Sequence, residues 1–241
     1  MQEKDETKVD SSQICYDRLM KFIRKIIEIA PKTSNGFNLL YMHGYGGYLW
    51  QAKRHLSVLK KAGYRIFALD FSYRLSTHNP QDLIDLMDEV DELLISKGLV
   101  KENTLIIGIS LGGLVGLNLL RRHNELNKLL AITGGDITHL PSKRSLRKNW
   151  GLTRKELSDR WADVNMYNKP GVFQNKHMIM MLPVRDKVID PDEVKREVES
   201  QKKLNDIHLI NTRGGHFRTI ITETIFFPKR NLKLFERILR D

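Results

Sequence analysis

Short apolar runs alternate with helical segments along most of this 241-residue chain. Such alternation predicts a mostly parallel sheet with helices on both faces, because two parallel strands need a crossover connection between them. Leu105–Ile107 and Met178–Leu182 are apolar without interruption, which is typical of strands that are buried on both faces. The predicted strands are Asn38–Met42, Tyr64–Leu69, Thr104–Ile109, Leu129–Ile132, His177–Leu182 and Ile207–Ile210. The fold class that follows is α/β.

Helices are predicted from apolar residues at helical spacing and from residues that favour helix ends. Asn79-Pro80 places a capping side chain and a proline at the start of one helix, and Gly98 ends it. Pro31 ends another helix, which we expect around Tyr16–Ile29. The other predicted helices are Trp50–Lys61, Leu111–Arg122 and Asn231–Arg240.

The composition indicates a globular protein with a sizeable apolar core. The chain is 41% hydrophobic and 29% charged, and we expect one domain over residues 14–241 after a flexible polar leader at residues 1–13. Cys15 is the only cysteine, which excludes an internal disulfide and a cysteine-based zinc cluster and favours a cytoplasmic location. The net charge of +11 favours contact with an anionic partner. We expect no nucleic acid partner, because the basic residues are spread along the chain without a recognised binding motif.

The segment Gly108-Ile109-Ser110-Leu111-Gly112 matches the pattern G-x-S-x-G and lies between a predicted strand and a predicted helix. In that context the glycines permit a tight strand-to-helix turn, which holds the serine hydroxyl clear of the sheet. The start of the following helix favours negative charge that develops near the serine. We therefore predict that Ser110 is a nucleophile.

A serine nucleophile needs a histidine base and a carboxylate that orients the histidine. His216 lies in the loop after the last predicted strand, whereas the other histidines after Ser110 lie at a helix end, in strands or in a long insertion. We therefore expect His216 to be the base. Asp186 directly follows a buried strand and is our first choice for the acid. Asp136 also follows a strand and stays open as the alternative.

A tetrahedral intermediate needs hydrogen-bond donors for its oxyanion. The backbone N–H of Leu111, next after the predicted nucleophile, is expected to be one donor. The second is expected from the glycine-rich loop Met42–Gly47, where we choose the N–H of Tyr45 because glycines let the backbone approach a substrate closely. His43 of the same loop is a candidate substrate contact. The alternative is that this loop is a plain glycine-rich turn.

An insertion over about residues 135–172 has no strand signal and follows a strand, which predicts a short helical cap over the carboxyl end of the sheet. His139 and Trp161 of this cap are candidate substrate contacts, although Trp161 equally fits a residue that anchors the cap. A basic cluster begins the cap at Lys143, Arg144, Arg147, Lys148, Arg154 and Lys155. The cluster predicts contact with anionic lipid headgroups or an acidic substrate, or else only a solvated helical face.

Four elements together resemble the α/β-hydrolase superfamily, namely His43–Gly47, Gly108–Gly112, Arg185-Asp186 and Gly215-His216. Their order and spacing match from about Asn38 to the C-terminus, and the likeness is strongest to small single-domain esterases and acylglycerol-lipase-like serine hydrolases. The segment after the second predicted strand lacks the Arg-Gly-x-Gly turn that many relatives carry, which weakens assignment to a particular subfamily.

The resemblance implies the α/β-hydrolase fold and a triad of Ser110, Asp186 and His216. The implied function is a serine hydrolase that cleaves a small-molecule acyl ester through an acyl-enzyme on Ser110. No haem, flavin, nucleotide or metal motif accompanies these elements, so we expect no metal and no other cofactor. The alternatives are a thioesterase or acyltransferase with the same triad, and a non-catalytic binding protein with the hydrolase fold.

Overall fold

The computed structural model describes residues 20–45, 47–71, 80–134 and 174–238, together with residues 151, 153, 155, 156 and 159. The leader predicted at residues 1–13 lies outside the described residues. The same holds for nearly all of the predicted cap, including His139, Trp161 and Asp136. The expected division into a leader, one domain and a cap therefore stays a prediction.

Seven strands of the described chain form one sheet in the order β1-β3-β2-β4-β5-β6-β7. Strand β1 is antiparallel to β3, and every other pair of neighbours is parallel. The strands are β1 (Ile23–Ile29), β2 (Asn38–Met42), β3 (Arg65–Phe71), β4 (Thr104–Ile109), β5 (Lys128–Ile132), β6 (His177–Pro183) and β7 (Asp206–Thr212). The prediction of a mostly parallel α/β sheet is confirmed.

Helices connect these strands, as parallel pairing requires. They are α1 (Lys53–Lys61), α2 (Pro80–Ser96), α3 (Leu111–Arg122), α4 (Pro191–Gln201), α5 (His216–Ile221) and α6 (Pro228–Ile238). A 3-10 turn, Leu49–Ala52, leads into α1, and a π-helical turn, Thr222–Phe226, joins α5 to the loop before α6. Helix α2 begins at Pro80, as its sequence predicts, and ends two residues before Gly98. Asp190 caps α4, because its side chain accepts hydrogen bonds from the N–H groups of Asp192 and Glu193.

Two apolar layers lie on opposite faces of the sheet, because successive side chains of a strand point to opposite faces. In β2, Leu40 and Met42 belong to the layer that includes residues of α2, α3 and α4. Leu39 and Tyr41 of the same strand belong to the other layer, which includes residues of α1 and α6. All four are completely buried. The carboxyl ends of the parallel strands therefore form one edge of a sheet that is covered on both faces.

The prediction of a helix around Tyr16–Ile29 is wrong over its second half, where Ile23–Ile29 forms the edge strand β1. A β-bulge between Ile23 and Lys25 shifts the pairing with β3, and apolar side chains of this strand pack on both faces of the sheet, Ile26 on one and Ile27 on the other. The resulting spacing imitates that of an amphipathic helix. The β-branched isoleucines favour a strand, and pairing with β3 decides between the two.

No helix among the described residues is long and apolar enough to cross a membrane.

Candidate active site

Ser110 lies at the junction of β4 and α3, with φ 51° and ψ −111°. A positive φ is uncommon for a residue with a Cβ atom, and such strain persists only where the surroundings hold the backbone. Here the N–H of Ser110 donates to the carbonyl of Ile132 on β5 at 2.9 Å, and the carbonyl of Ser110 accepts from the N–H of Gly113 at 2.9 Å. The strained conformation is thus fixed from both sides.

The glycines around Ser110 allow three backbone segments to pack in close contact. A Cβ atom on Gly108 would lie 2.3 Å from the carbonyl oxygen of Gly112. A Cβ atom on Gly112 would lie 2.4 Å from the carbonyl oxygen of Met42 at the end of β2. The two glycines of the motif are therefore required by close approach, and the positive φ belongs to Ser110 itself.

His216 begins α5, directly after β7 and its glycine turn, and only 5% of the residue is exposed. Its Nε2 atom lies 2.9 Å from the hydroxyl oxygen of Ser110. Its Nδ1 atom lies 2.8 Å from Oδ2 of Asp186. One imidazole ring therefore bridges the serine hydroxyl and the carboxylate.

Asp186 lies three residues beyond the end of β6, with its side chain inaccessible to solvent. Its Oδ1 atom accepts hydrogen bonds from the N–H groups of Val188 at 2.7 Å and Ile189 at 3.0 Å, which leaves Oδ2 for His216. Burial raises the pKa of Asp186, but the hydrogen bonds from His216 and the two N–H groups outweigh it and hold the pKa below its usual value. The carboxylate therefore stays ionised at neutral pH.

The loop after β2 packs directly against Ser110. A Cβ atom on Gly44 would lie 3.1 Å from the Cβ atom of Ser110, so the backbone of this loop runs directly against the serine. The N–H groups of Tyr45 and Leu111 make no hydrogen bond within the described part of the chain. Tyr45 therefore lies in the loop that packs against Ser110, and Leu111 begins the helix that follows Ser110.

His43 is 4% exposed and holds the start of this loop. Its Nδ1 atom lies 2.7 Å from the carbonyl oxygen of Gly44, and its Nε2 atom lies 3.0 Å from both the nitrogen of Phe71 and Oδ1 of Asp70. Arg24 of β1 pairs with the other oxygen of Asp70. Both ring nitrogens are therefore engaged within the protein, and substrate contact by His43 stays a prediction.

A cleft of about 1190 Å³ opens beside Ser110. One wall is formed by the loop after β2 and by α1, and the other by α5, the π-helical turn and the start of α6. Its lining includes Gly44 and Ile109, which lie next to Ser110, and Phe217, which follows His216. Sequence analysis missed this cleft. Phe217, Phe226 and Phe227 of its lining are visible in the sequence, but their exposure and their position beside α1 are not.

The remaining predicted site residues lie outside the described part of the chain. They are His139, Trp161 and the alternative acid Asp136. Among the described residues, no group of three or more histidine, cysteine, aspartate or glutamate side chains is arranged to hold a metal ion.

Comparisons with solved structures show the same fold at low sequence identity. An esterase of Pyrococcus furiosus, Pf2001, is 21% identical, with a TM-score of 0.65 over 90% of this chain and 86% of that chain. A thermophilic esterase of Thermogutta terrifontis, Est2, solved with propionate bound, is 15% identical, with a TM-score of 0.63 over 89% of this chain and 88% of that chain. MGS-MChE2, an alpha/beta hydrolase enzyme from a lagoon-sediment metagenome, is 17% identical, with a TM-score of 0.60 over 91% of this chain and 97% of that chain.

No curated protein matches the sequence at a significant level. A family model described as the alpha/beta hydrolase family matches residues 39–190, which is more than half of the chain. The matched span begins in β2 and includes Ser110 and Asp186. The chain therefore belongs to the alpha/beta hydrolase family.

Proposed function

We propose that this protein is a serine hydrolase that cleaves carboxylic esters through an acyl-enzyme on Ser110. The observation that carries the proposal is the single imidazole of His216, which lies 2.9 Å from Ser110 Oγ and 2.8 Å from Asp186 Oδ2. These separations are within hydrogen-bond reach on both sides, as general-base activation of a serine requires. The esterases with the same fold support the choice of an ester substrate.

In the first step the Ser110 hydroxyl donates its proton to Nε2 of His216 while its oxygen attacks the ester carbonyl carbon. The ionised carboxylate of Asp186 accepts a hydrogen bond from the Nδ1–H of the ring. This contact fixes the tautomer whose Nε2 is free to take the proton, and it stabilises the imidazolium that forms.

The carbonyl oxygen becomes negatively charged in the tetrahedral intermediate and needs donors that are already oriented. We assign this role to the N–H groups of Leu111 and Tyr45. Leu111 is the first residue of α3, so the positive end of this helix adds to the stabilisation. The positive φ of Ser110 keeps its hydroxyl at the start of α3, beside the loop after β2.

Collapse of the intermediate breaks the ester C–O bond, and the imidazolium of His216 gives its proton to the leaving alkoxide, so that an alcohol departs. Water then attacks the acyl-enzyme, with His216 again accepting a proton. The second intermediate releases the carboxylic acid, and the proton returns to Ser110. Each proton that His216 accepts is given back within the same half-reaction.

We further propose a cytoplasmic location, which the single cysteine of the chain favours. Contact of the cap with an anionic lipid surface also stays a prediction. Of the basic cluster that would make this contact, only Lys155 is among the described residues, and it is exposed.

Labelling with a fluorophosphonate probe tests the proposal, because the probe reacts only with a serine that is activated as a nucleophile. We expect the wild type to be labelled and to hydrolyse 4-nitrophenyl butyrate, and Ser110→Ala to do neither. Ser96→Ala is the matched control, because the Ser96 hydroxyl only donates to the carbonyl of Leu93 near the end of α2. Equal labelling of the wild type and Ser110→Ala would contradict the proposal.

A further inference from the structure

The cleft beside Ser110 is lined by aromatic side chains that face solvent. Trp50 is 71% exposed on one wall, and Phe217, Phe226 and Phe227 are between 55% and 69% exposed on the other. Large apolar side chains that cluster in this way on the surface of a globular protein mark binding sites. The cleft can therefore take up an apolar segment of a ligand.

Basic side chains line the same cleft from both walls. Lys53, Arg54 and Lys61 belong to α1, and Lys229 and Arg230 belong to the start of α6. Lys53 and Lys61 are eight residues apart, which corresponds to about 12 Å along a helix, so the charge extends along the cleft. No aspartate or glutamate is among the described residues that line it.

Most of these cations have no acidic partner among the described residues. Arg230 pairs with Glu223 at 3.1 Å. Within the described part of the chain, Lys53, Arg54, Lys61 and Lys229 have no carboxylate oxygen within 4.0 Å. A cleft lined by one sign of charge concentrates ligands of the opposite sign.

The start of α1 adds to the same potential. Lys53 and Arg54 occupy its first turn, and neither this turn nor the preceding 3-10 turn contains an acidic residue. The first turn of a helix favours anions, so two cations there destabilise the helix. By contrast, α4 has Asp192 and Glu193 in its first turn. Residues that destabilise their own helix without a compensating contact are typical of functional sites.

One residue of the cleft lining carries a buried hydrogen-bond donor. Tyr41 contributes to the lining and is completely buried, and its hydroxyl has no hydrogen-bond partner within the described part of the chain. A buried hydroxyl without a partner is unfavourable, and a polar group of a ligand would relieve this cost. The cleft thus combines apolar surface, unpaired cations and a polar donor.

We infer that the cleft selects anionic amphiphiles, so that the preferred esters carry a negatively charged group separated from the ester bond by an apolar segment. This inference rests on the proposed function and names its substrate class. The aromatic side chains contact the apolar segment, and Lys53, Arg54, Lys61 and Lys229 attract the anionic group.

Matched ester pairs test this selectivity. One pair is 4-nitrophenyl octanoate and the 4-nitrophenyl monoester of suberic acid, which differ in a terminal carboxylate on the acyl chain. The other pair is phenyl octanoate and 4-sulfophenyl octanoate, which differ in a sulfonate on the leaving group. The Lys53→Gln/Arg54→Gln double variant removes two positive charges from the cleft and so weakens its attraction for anions. In at least one pair, it should lower the ratio of kcat/KM for the anionic ester to kcat/KM for the neutral ester about tenfold.

Lys60→Gln is the matched control, because Lys60 is exposed on the same helix but does not line the cleft. It should leave both ratios unchanged. Added salt should lower the anionic but not the neutral rate of the wild type, since salt screens exposed charges. The inference is wrong if the double variant and Lys60→Gln give the same ratios in both pairs.

A binding measurement separates this inference from the proposed reaction. Octyl phosphate and octyl glucoside, each below its micelle concentration, are titrated calorimetrically into Ser110→Ala. We expect octyl phosphate to bind more tightly and to lose about tenfold in affinity when Lys53→Gln/Arg54→Gln is added. If octyl phosphate binds in this way but the wild type hydrolyses no ester, the proposed reaction is wrong and the selectivity of the cleft stands. Turnover with equal affinity for the two amphiphiles would overturn the selectivity alone.

Discussion

The Ser110 centre and the cleft beside it are built in opposite ways. In the centre, Asp186 has no exposed side-chain surface and His216 has both ring nitrogens in hydrogen bonds. In the cleft, Trp50 and Phe217 are largely exposed, and the cations of α1 have no carboxylate partner among the described residues. We expect a fixed, satisfied centre to serve the reaction of any ester and an unsatisfied cleft to discriminate among ligands. Substitutions in the two regions should therefore have different kinds of effect.

The largest effect is expected at the centre, from Ser110→Ala. The loss of the nucleophile should lower kcat for every ester on the order of 10⁵- to 10⁶-fold, as removal of a triad serine does. Steady-state kinetics with both members of each ester pair measure this, and circular dichroism checks that the fold is retained. A loss confined to anionic esters would contradict the distinction between centre and cleft.

Asp186→Asn should lower kcat about 10⁴-fold, because an amide stabilises the wrong tautomer of His216. The effect should again be equal for anionic and neutral esters. Asp192→Asn is the matched control, since the Asp192 side chain is exposed at the start of α4 and pairs with Lys195 at 3.2 Å. Similar losses in the two variants would argue against a specific role for Asp186.

Asp186 also links stability to pH. Its pKa is lowered in the folded protein, so ionised Asp186 contributes free energy of unfolding that is fully present above its unfolded pKa of about 3.9. This contribution is lost as pH falls through the lower folded pKa. The free-energy difference between wild type and Asp186→Asn should therefore shrink below about pH 4, as urea unfolding at several pH values can measure. A difference that grows on acidification would reverse the sign that we assign.

Gly108→Ala should destabilise the fold by roughly 3 kcal/mol, because its Cβ atom would lie 2.3 Å from the carbonyl oxygen of Gly112. Gly98→Ala is the control. Gly98 has a φ of 61° but its nearest neighbour would be the flexible Lys101 amine at 3.8 Å, so this change should cost only about 1 kcal/mol of backbone strain. Urea unfolding compares the two. Equal losses would mean that close packing is not what requires glycine at position 108.

The smallest effect is expected in the cleft, from Lys53→Glu/Arg54→Glu. Two acids in the first turn of α1 should raise the free energy of unfolding by about 1 kcal/mol, because they interact favourably with the helix dipole. Lys60→Glu, in the last turn, should lower it. Thermal unfolding measures both changes. A double variant less stable than the wild type would show that Lys53 and Arg54 stabilise the fold.

The strand-to-helix turn at Ser110 could be predicted from the sequence because its requirements are local. Gly108, Ser110 and Gly112 act within one strand-to-helix turn, so the spacing itself carries the information. The parallel strands were also predicted, since burial on both faces makes them apolar throughout. Strand β1 was missed because pairing at the sheet edge and a bulge decide its structure, and neither is visible in its spacing.

The cleft could not be predicted, because its parts come from distant segments. Lys53 and Lys229 are brought together only by the packing of α1 beside α6. The π-helical turn that presents Phe226 follows no simple residue pattern. The contacts of His43 with Asp70 and Phe71 likewise join the ends of two strands that the chain separates by 27 and 28 residues.

The most direct test of the central claim is to trap the intermediate. The protein is quenched in acid during turnover of 4-nitrophenyl butyrate, and its mass and its proteolytic peptides are measured. We predict a mass increase of one butyryl group, carried by the peptide that contains Ser110 and absent from Ser110→Ala. Turnover without any acylated protein, or an acyl group on another residue, would contradict the account.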